Sequence, residues 1–292
     1  MKQSFNYRIF ADAAIDIDAA FIKSEEIEIL PVNCIVSDYA TEYTGKEKEE
    51  KIVQIYNRQR KGEVTSTTSL KQQDFEKKFE TMLKHGIGVL YISISNQLSD
   101  AFKEAMKAKQ NMEKKYGELP FMIVDSLAAT GGFGIIAERA IKNKRLGMDL
   151  ESNARDISKM SGSVNSWFYV NDLDYLRRNG KTSAAKSIIG TFLGIKPILR
   201  TTYDGQLRQI DKKFGAKKAC EVLKELYLTN GGSTSEHTVY ITHSDDYESA
   251  LKLKKMVLAA TPDVNVKIRM LSPIIGSHTG SDVIVLSHYP SK

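Results

Sequence analysis

Short apolar runs alternate with helical periodicities through the first half of this 292-residue chain, and that alternation restricts the fold more than any other feature. The runs are Tyr7 to Ala11, Ile29 to Val36, Gly88 to Ser95 and Pro120 to Asp125. Between or after them, helical spacing is read over roughly Glu47 to Arg60, Leu70 to Lys84, Ser99 to Tyr116 and Gly132 to Lys144. Strands that alternate with helices predict an α/β unit built on a mainly parallel sheet with flanking helices. The unbroken run Val89-Leu90-Tyr91-Ile92 suits a strand buried on both faces.

After a helical segment over Leu150 to Lys159, Ser161-Gly162-Ser163 breaks the pattern. The expected division is therefore a first domain over residues 1–161 and a second over 162–292. In the second, strands are expected at Trp167 to Val170, Lys196 to Thr201, Gln206 to Asp211, Thr238 to His243, Val264 to Met270 and Asp282 to Leu286. Helices are expected at Asp172 to Arg178, Ser183 to Phe192, Ala216 to Tyr227 and Asp246 to Ala259. Asp204-Gly205 suits a tight turn between neighbouring strands, so this sheet should be mixed or antiparallel, again with helices.

The net charge of +6 is spread along the chain, and Lys46-Glu47-Lys48-Glu49-Glu50-Lys51 mixes signs as a solvated helix face does. With no nucleic-acid motif, a nucleic-acid partner is not expected. The two cysteines, Cys34 and Cys220, lack metal-ligand spacing and read as small buried residues in a reducing compartment. No apolar run approaches the roughly 20 residues of a membrane span, and the first residues lack a signal-peptide core. The expectation is a soluble cytoplasmic protein with no membrane insertion and no metal site.

In open α/β sheets, ligands gather beyond the carboxyl ends of the strands. Those ends carry Asp12, Ser95-Asn96 and Asp125-Ser126, and helix starts with a hydroxyl or glycine lie close by. Helix N-termini present free backbone N–H groups and a partial positive charge, which favour an anion. A single Ser, Thr or Asp in such a place is more often a helix cap. Thr65-Ser66-Thr67-Thr68-Ser69 exceeds what one cap requires.

Two look-alikes are set aside. Asn179-Gly180-Lys181-Thr182-Ser183 resembles the end of a phosphate loop, but Tyr175 stands where its first glycine belongs. Gly132-Phe133-Gly134 follows the fourth strand and not the first strand–helix turn, so a dinucleotide site is disfavoured. His278, between Ser277 and Thr279, has no recognisable nucleophile to serve, so a binding role outranks a catalytic one.

Six segments, in order, resemble the DegV family: Thr65-Ser66-x-x-Ser69, Ile94-Ser95-x-x-Leu98-Ser99, Val124-Asp125-Ser126 with Gly132-x-Gly134, Asp172-Leu173-x-Tyr175-Leu176, Gly194 to Leu199, and Ile275-Gly276-x-His278-Thr279-Gly280. The resemblance implies a non-enzymatic protein of two α/β domains that holds one long-chain fatty acid and no cofactor. It places the acyl chain in an apolar tunnel of the N-terminal domain and the carboxylate near the domain interface. The head-group ligands it implies are Thr65, Ser66 and Ser95, closed over by His278 and Thr279. Some members present the carboxylate to a separate fatty-acid kinase subunit, and the turn carrying Arg177, Arg178 and Lys181 would then face that partner. The Gly-Gly-Arg usual there reads Asn179-Gly180-Lys181, without the guanidinium fork. The rival readings are a phosphoryl-transfer subunit resembling dihydroxyacetone kinase, built around His278, and a regulatory protein whose lipid is incidental.

Overall fold

The computed structural model describes residues 6–171, 175–176, 194–232 and 238–290. Apart from Tyr175 and Leu176, the helices expected over Asp172 to Arg178 and Ser183 to Phe192 lie outside the described residues, as does the turn carrying Arg177, Arg178 and Lys181.

The N-terminal half runs β1 (Tyr7–Asp12), α1 (Ala19–Lys23), β2 (Glu28–Leu30), β3 (Val32–Val36), β4 (Tyr39–Tyr43), α2 (Glu49–Arg60) and β5 (Thr65–Thr67). It continues through α3 (Gln72–Lys84), β6 (Gly88–Ser93), α4 (Ala101–Tyr116), β7 (Phe121–Asp125), α5 (Thr130–Arg145) and α6 (Leu150–Met160). Four strands form an all-parallel sheet in the order β2-β1-β6-β7. Every residue of β6 is buried, as its continuous apolar sequence requires. On one face, Phe75, Phe79 and Leu83 of α3 recur at helical spacing and meet Phe10, Tyr91 and Phe121 of the sheet. Burying each such ring contributes roughly 1.5–3 kcal/mol.

The single strand expected over Ile29 to Val36 is two strands in two sheets. Pro31 separates them: it offers no N–H to a ladder, so the chain leaves the parallel sheet after Leu30. β3 then pairs antiparallel with β4 and β5 in a separate three-stranded sheet. That sheet stands Thr65–Thr67 beside Val36 to Cys34.

The C-terminal half contributes β8 (Asn165–Tyr169), β9 (Ile195–Thr201), β10 (Leu207–Phe214), α7 (Ala216–Thr229), β11 (Thr238–His243), α8 (Tyr247–Ala260), β12 (Asn265–Met270), α9 (Pro273–Thr279) and β13 (Ile284–His288). Its mixed sheet has the order β10-β9-β8-β13-β11-β12, with β11 and β12 parallel and the other neighbours antiparallel. The β9–β10 hairpin turns at Gly205, which adopts φ +82°. Helices α7 and α8 bury Leu223, Tyr227, Leu253 and Val257 against one face.

Helix α5 packs against both sheets, and its glycines make this possible. A Cβ on Gly131 would meet the Cβ of Tyr240 at 2.5 Å, and one on Gly132 would meet Ser166 Oγ at 2.6 Å. One on Gly134 would collide with the carbonyl oxygen of Asp16. The Gly-x-Gly of this helix is thus accounted for by close packing.

Candidate functional site

Between the carboxyl ends of the parallel sheet and the inner face of the mixed sheet lies a cavity of about 300 Å³. Ala13 and Ala14 after β1, Ile94 after β6, Ala129 just before α5 and Thr130 at its start line it from the N-terminal half. Phe168, Leu207, Leu271, Val283 and Val285 line it from the C-terminal half, so both sheets contribute to a mostly aliphatic wall. This cavity draws its lining from both halves of the chain, whereas the resemblance implies an acyl tunnel in the N-terminal domain.

One rim of the cavity is hydroxyl-rich. Strand β5 and the residues after it supply Ser66, Thr67, Thr68 and Ser69, of which Ser66, Thr68 and Ser69 are exposed. Helix α9 supplies His278 and Thr279. Ser272 caps this helix and Pro273 occupies its first turn, a start signal the sequence carries. His278 Nε2 lies 3.0 Å from Thr67 Oγ1, which joins strand and helix across the rim. Cys34 Sγ lies 3.3 Å from Ser277 Oγ and is buried, with its thiol pKa pushed up by burial.

The candidate residues divide by position. Ser66, His278 and Thr279 line the cavity. Thr65 lies behind them, buried, with its hydroxyl donating to Ser277 O at 3.2 Å and accepting from Gln59 Nε2 at 2.8 Å. Ser95 is fully buried and outside the lining; its hydroxyl donates to Gly205 O at 2.8 Å, pinning the β9–β10 turn to the end of β6.

The polar ends of the parallel strands do converge, and they satisfy one another. Asp12 accepts from the Tyr91 hydroxyl and from the Ile94 amide, the latter at 2.6 Å. Asp125 accepts from the amides of Asn96 at 3.3 Å and Leu127 at 2.9 Å. Asp12 borders the cavity, and burial raises its pKa to about 7 against the lowering effect of both hydrogen bonds. A second buried carboxyl, Asp16, accepts from the Ser272 amide at 2.8 Å and so holds the start of α9. Its Oδ2 has no hydrogen-bond partner among the described residues, and burial lifts its pKa to about 8.

Gln59 and Tyr56 of α2 escaped the sequence reading, which assigned the helix but singled out only its mixed-charge start, Lys46 to Lys51, as a solvated face. Both are buried, and both bond to the backbone around α9: Gln59 Nε2 to Gly276 O at 2.8 Å, and Tyr56 Oη to Leu271 O at 2.8 Å. Their apolar neighbours Ile52 and Ile55 give the helix a weak inward stripe, the one available signal.

A parallel sheet and a mixed sheet closed around a shared, hydroxyl-rimmed aliphatic cavity define a two-domain α/β class. Within that class, this chain belongs to the DegV family: the family model described as an uncharacterised protein, DegV family, matches residues 6–291. A DegV domain-containing protein of Clostridium perfringens is 30% identical over 273 residues, covering 93% of each chain. A DegV family protein from Thermus thermophilus shares the fold with a TM-score of 0.85 at 24% identity, over 98% of this chain and 100% of that one. A Thermotoga maritima protein matches with a TM-score of 0.81 at 22% identity, again over 98% and 100%. Both of those proteins bind fatty acid. Among the described residues, no helix is long and apolar enough to cross a membrane.

Proposed function

We propose that this chain binds one long-chain fatty acid, with the acyl chain in the interdomain cavity and the carboxylate at the Ser66–His278 rim. The carrying observation is the pairing of an aliphatic wall with one hydroxyl-rich edge in a single space. Each methylene removed from water contributes about 0.8 kcal/mol, so the chain supplies affinity. A carboxylate leaving water requires several donors, and hydroxyls, an imidazole N–H and backbone amides provide them without a buried counter-charge. The fatty-acid binding of the Thermus and Thermotoga relatives supports this reading. It favours a lipid carrier over a small-substrate kinase subunit, since an aliphatic wall offers nothing to a small polar carbonyl compound.

In this reading Ser66, His278 and Thr279 meet the carboxylate directly. Thr65 and Ser95 have their hydroxyl hydrogens on backbone carbonyls, and they reach a carboxylate by exchanging those bonds. The residues 1–161 form the domain that supplies the hydroxyl strand, and 162–292 the domain that supplies α9. Because the rim residues Ser66, Thr68 and Ser69 are exposed, a separate kinase subunit can approach the carboxylate there.

Protein purified from bacteria and extracted with organic solvent is expected to release one fatty acid per chain by mass spectrometry. Recovery of no acyl chain, with none taken up on incubation, would remove the central claim. Adding the kinase subunit and ATP to the loaded protein should yield acyl phosphate; no product sets the carrier step aside. Ser95→Ala separates two roles. A head-group ligand predicts fatty-acid binding weaker by roughly tenfold or more, since a hydrogen bond to a charged group contributes about 1.5–3 kcal/mol. A hairpin pin alone predicts a lower melting temperature at unchanged affinity.

A further inference from the structure

Gln59 is not among the residues that line the cavity, yet two elements of the rim, β5 and α9, meet at its amide. It is 4% exposed and sits in the last turn of α2. Its Nε2 donates to Thr65 Oγ1 on β5 and to Gly276 O within α9, both at 2.8 Å. The Gly276 carbonyl can only accept, which fixes the amide with its nitrogen facing inward. Both amide hydrogens are then used, and the Thr65 hydroxyl must pass its own hydrogen on to Ser277 O. The chain Gln59, Thr65, Ser277 therefore ties the strand to the helix two residues from Thr67 and one residue from His278. The Oε1 atom is buried without a hydrogen-bond partner among the described residues, a cost the fold carries to keep this amide here.

We propose that Gln59 is the positioning residue of the carboxylate site: it sets α9, and with it His278 and Thr279, against the Thr65–Thr67 strand, so that the rim selects a carboxylate over an uncharged head group. This rests on the fatty-acid reading of the cavity. Removing the amide lets the helix and strand separate at the rim, while the part of the aliphatic wall supplied by Ala13, Ala14, Leu207, Val283 and Val285 stays in place. Affinity for the acid then falls and affinity for an uncharged analogue of the same chain does not.

The test uses lipid-stripped full-length protein, wild type and Gln59→Met, with oleate and methyl oleate in a fluorescent fatty-acid competition assay. Methionine keeps the length and removes the donors. The wild type is expected to prefer oleate. Gln59→Met should bind oleate roughly five- to tenfold more weakly and methyl oleate as before, in proportion to the loss of a hydrogen-bonded bridge. If both ligands weaken together, or neither changes while the melting temperature falls, Gln59 is only structural and the proposal is overturned. Gln59→Asn, which keeps an amide but withdraws it by one methylene, gives the same reading should Gln59→Met not fold. A wild type that binds neither ligand refutes the fatty-acid reading and this proposal with it; one that binds both equally leaves acyl-chain binding standing and overturns the carboxylate selectivity proposed for the rim.

Discussion

Ala14→Leu is expected to lower fatty-acid affinity by roughly fiftyfold, whatever the head group. Ala14 lies just past β1, is buried, and lines the cavity. Leucine projects three further carbons into space the acyl chain would use. Displacing about three methylenes at about 0.8 kcal/mol each gives a loss of this size. The lipid-free protein should melt close to the wild type, because the added carbons occupy the cavity and not the packed core. The same competition assay reads the effect, and oleate and methyl oleate should weaken in parallel, unlike the result expected at Gln59. Unchanged affinity for both ligands would place the acyl chain elsewhere.

The second large effect is a pH dependence of stability centred on Asp16. Its pKa rises from 3.8 to about 8 through burial, opposed by the hydrogen bond from Ser272. Between those values the unfolded chain has lost the proton and the folded chain keeps it, so stability falls as pH rises from about 4 to about 8. The rise from 3.8 to about 8 corresponds to on the order of 5 kcal/mol across the window. Asp16→Asn removes this dependence: it should match the wild type near pH 4 to within a few kcal/mol and gain on it steadily towards pH 8. Asp12 titrates in both proteins and cancels in the difference. Parallel denaturant titrations at pH 4, 6 and 8 measure it, and a constant gap between the two proteins would mean that Asp16 does not titrate in this window.

Much of the scaffold can be read from local pattern. The helices α3 and α4 follow from apolar spacing, β6 from an unbroken buried run, and the β9–β10 turn from Asp204-Gly205. The small sheet is not legible in this way. β4 is almost wholly exposed, so it carries no alternation, and β5 is three residues whose hydroxyls read as a loop. The rim shows the same division. The Thr65 to Ser69 cluster and the His278-Thr279 pair stand out by composition, but their meeting depends on hydrogen bonds spanning more than 200 residues, which no local period encodes. Gln59 was hidden for the same reason: a glutamine between Arg58 and Arg60 looks solvated until its partners, Thr65 and Gly276, are placed. Ser95 illustrates the converse, a residue conspicuous in sequence whose hydroxyl is engaged by a turn from the other half of the chain.

The glycine-bearing helix α5 ties the two halves into a single inheritable unit. Because Gly131 and Gly132 press its backbone against Tyr240 and Ser166, while Gly134 presses it against Asp16, neither half can be exchanged for that of a distant homologue without refitting a seam on the opposite sheet. A chimera joined at the linker would carry a ridge where a notch is needed. Recombination within such a lineage should therefore spare this helix and its two neighbours together, and ligand preference should diversify by point changes in the wall and not by swapping domains.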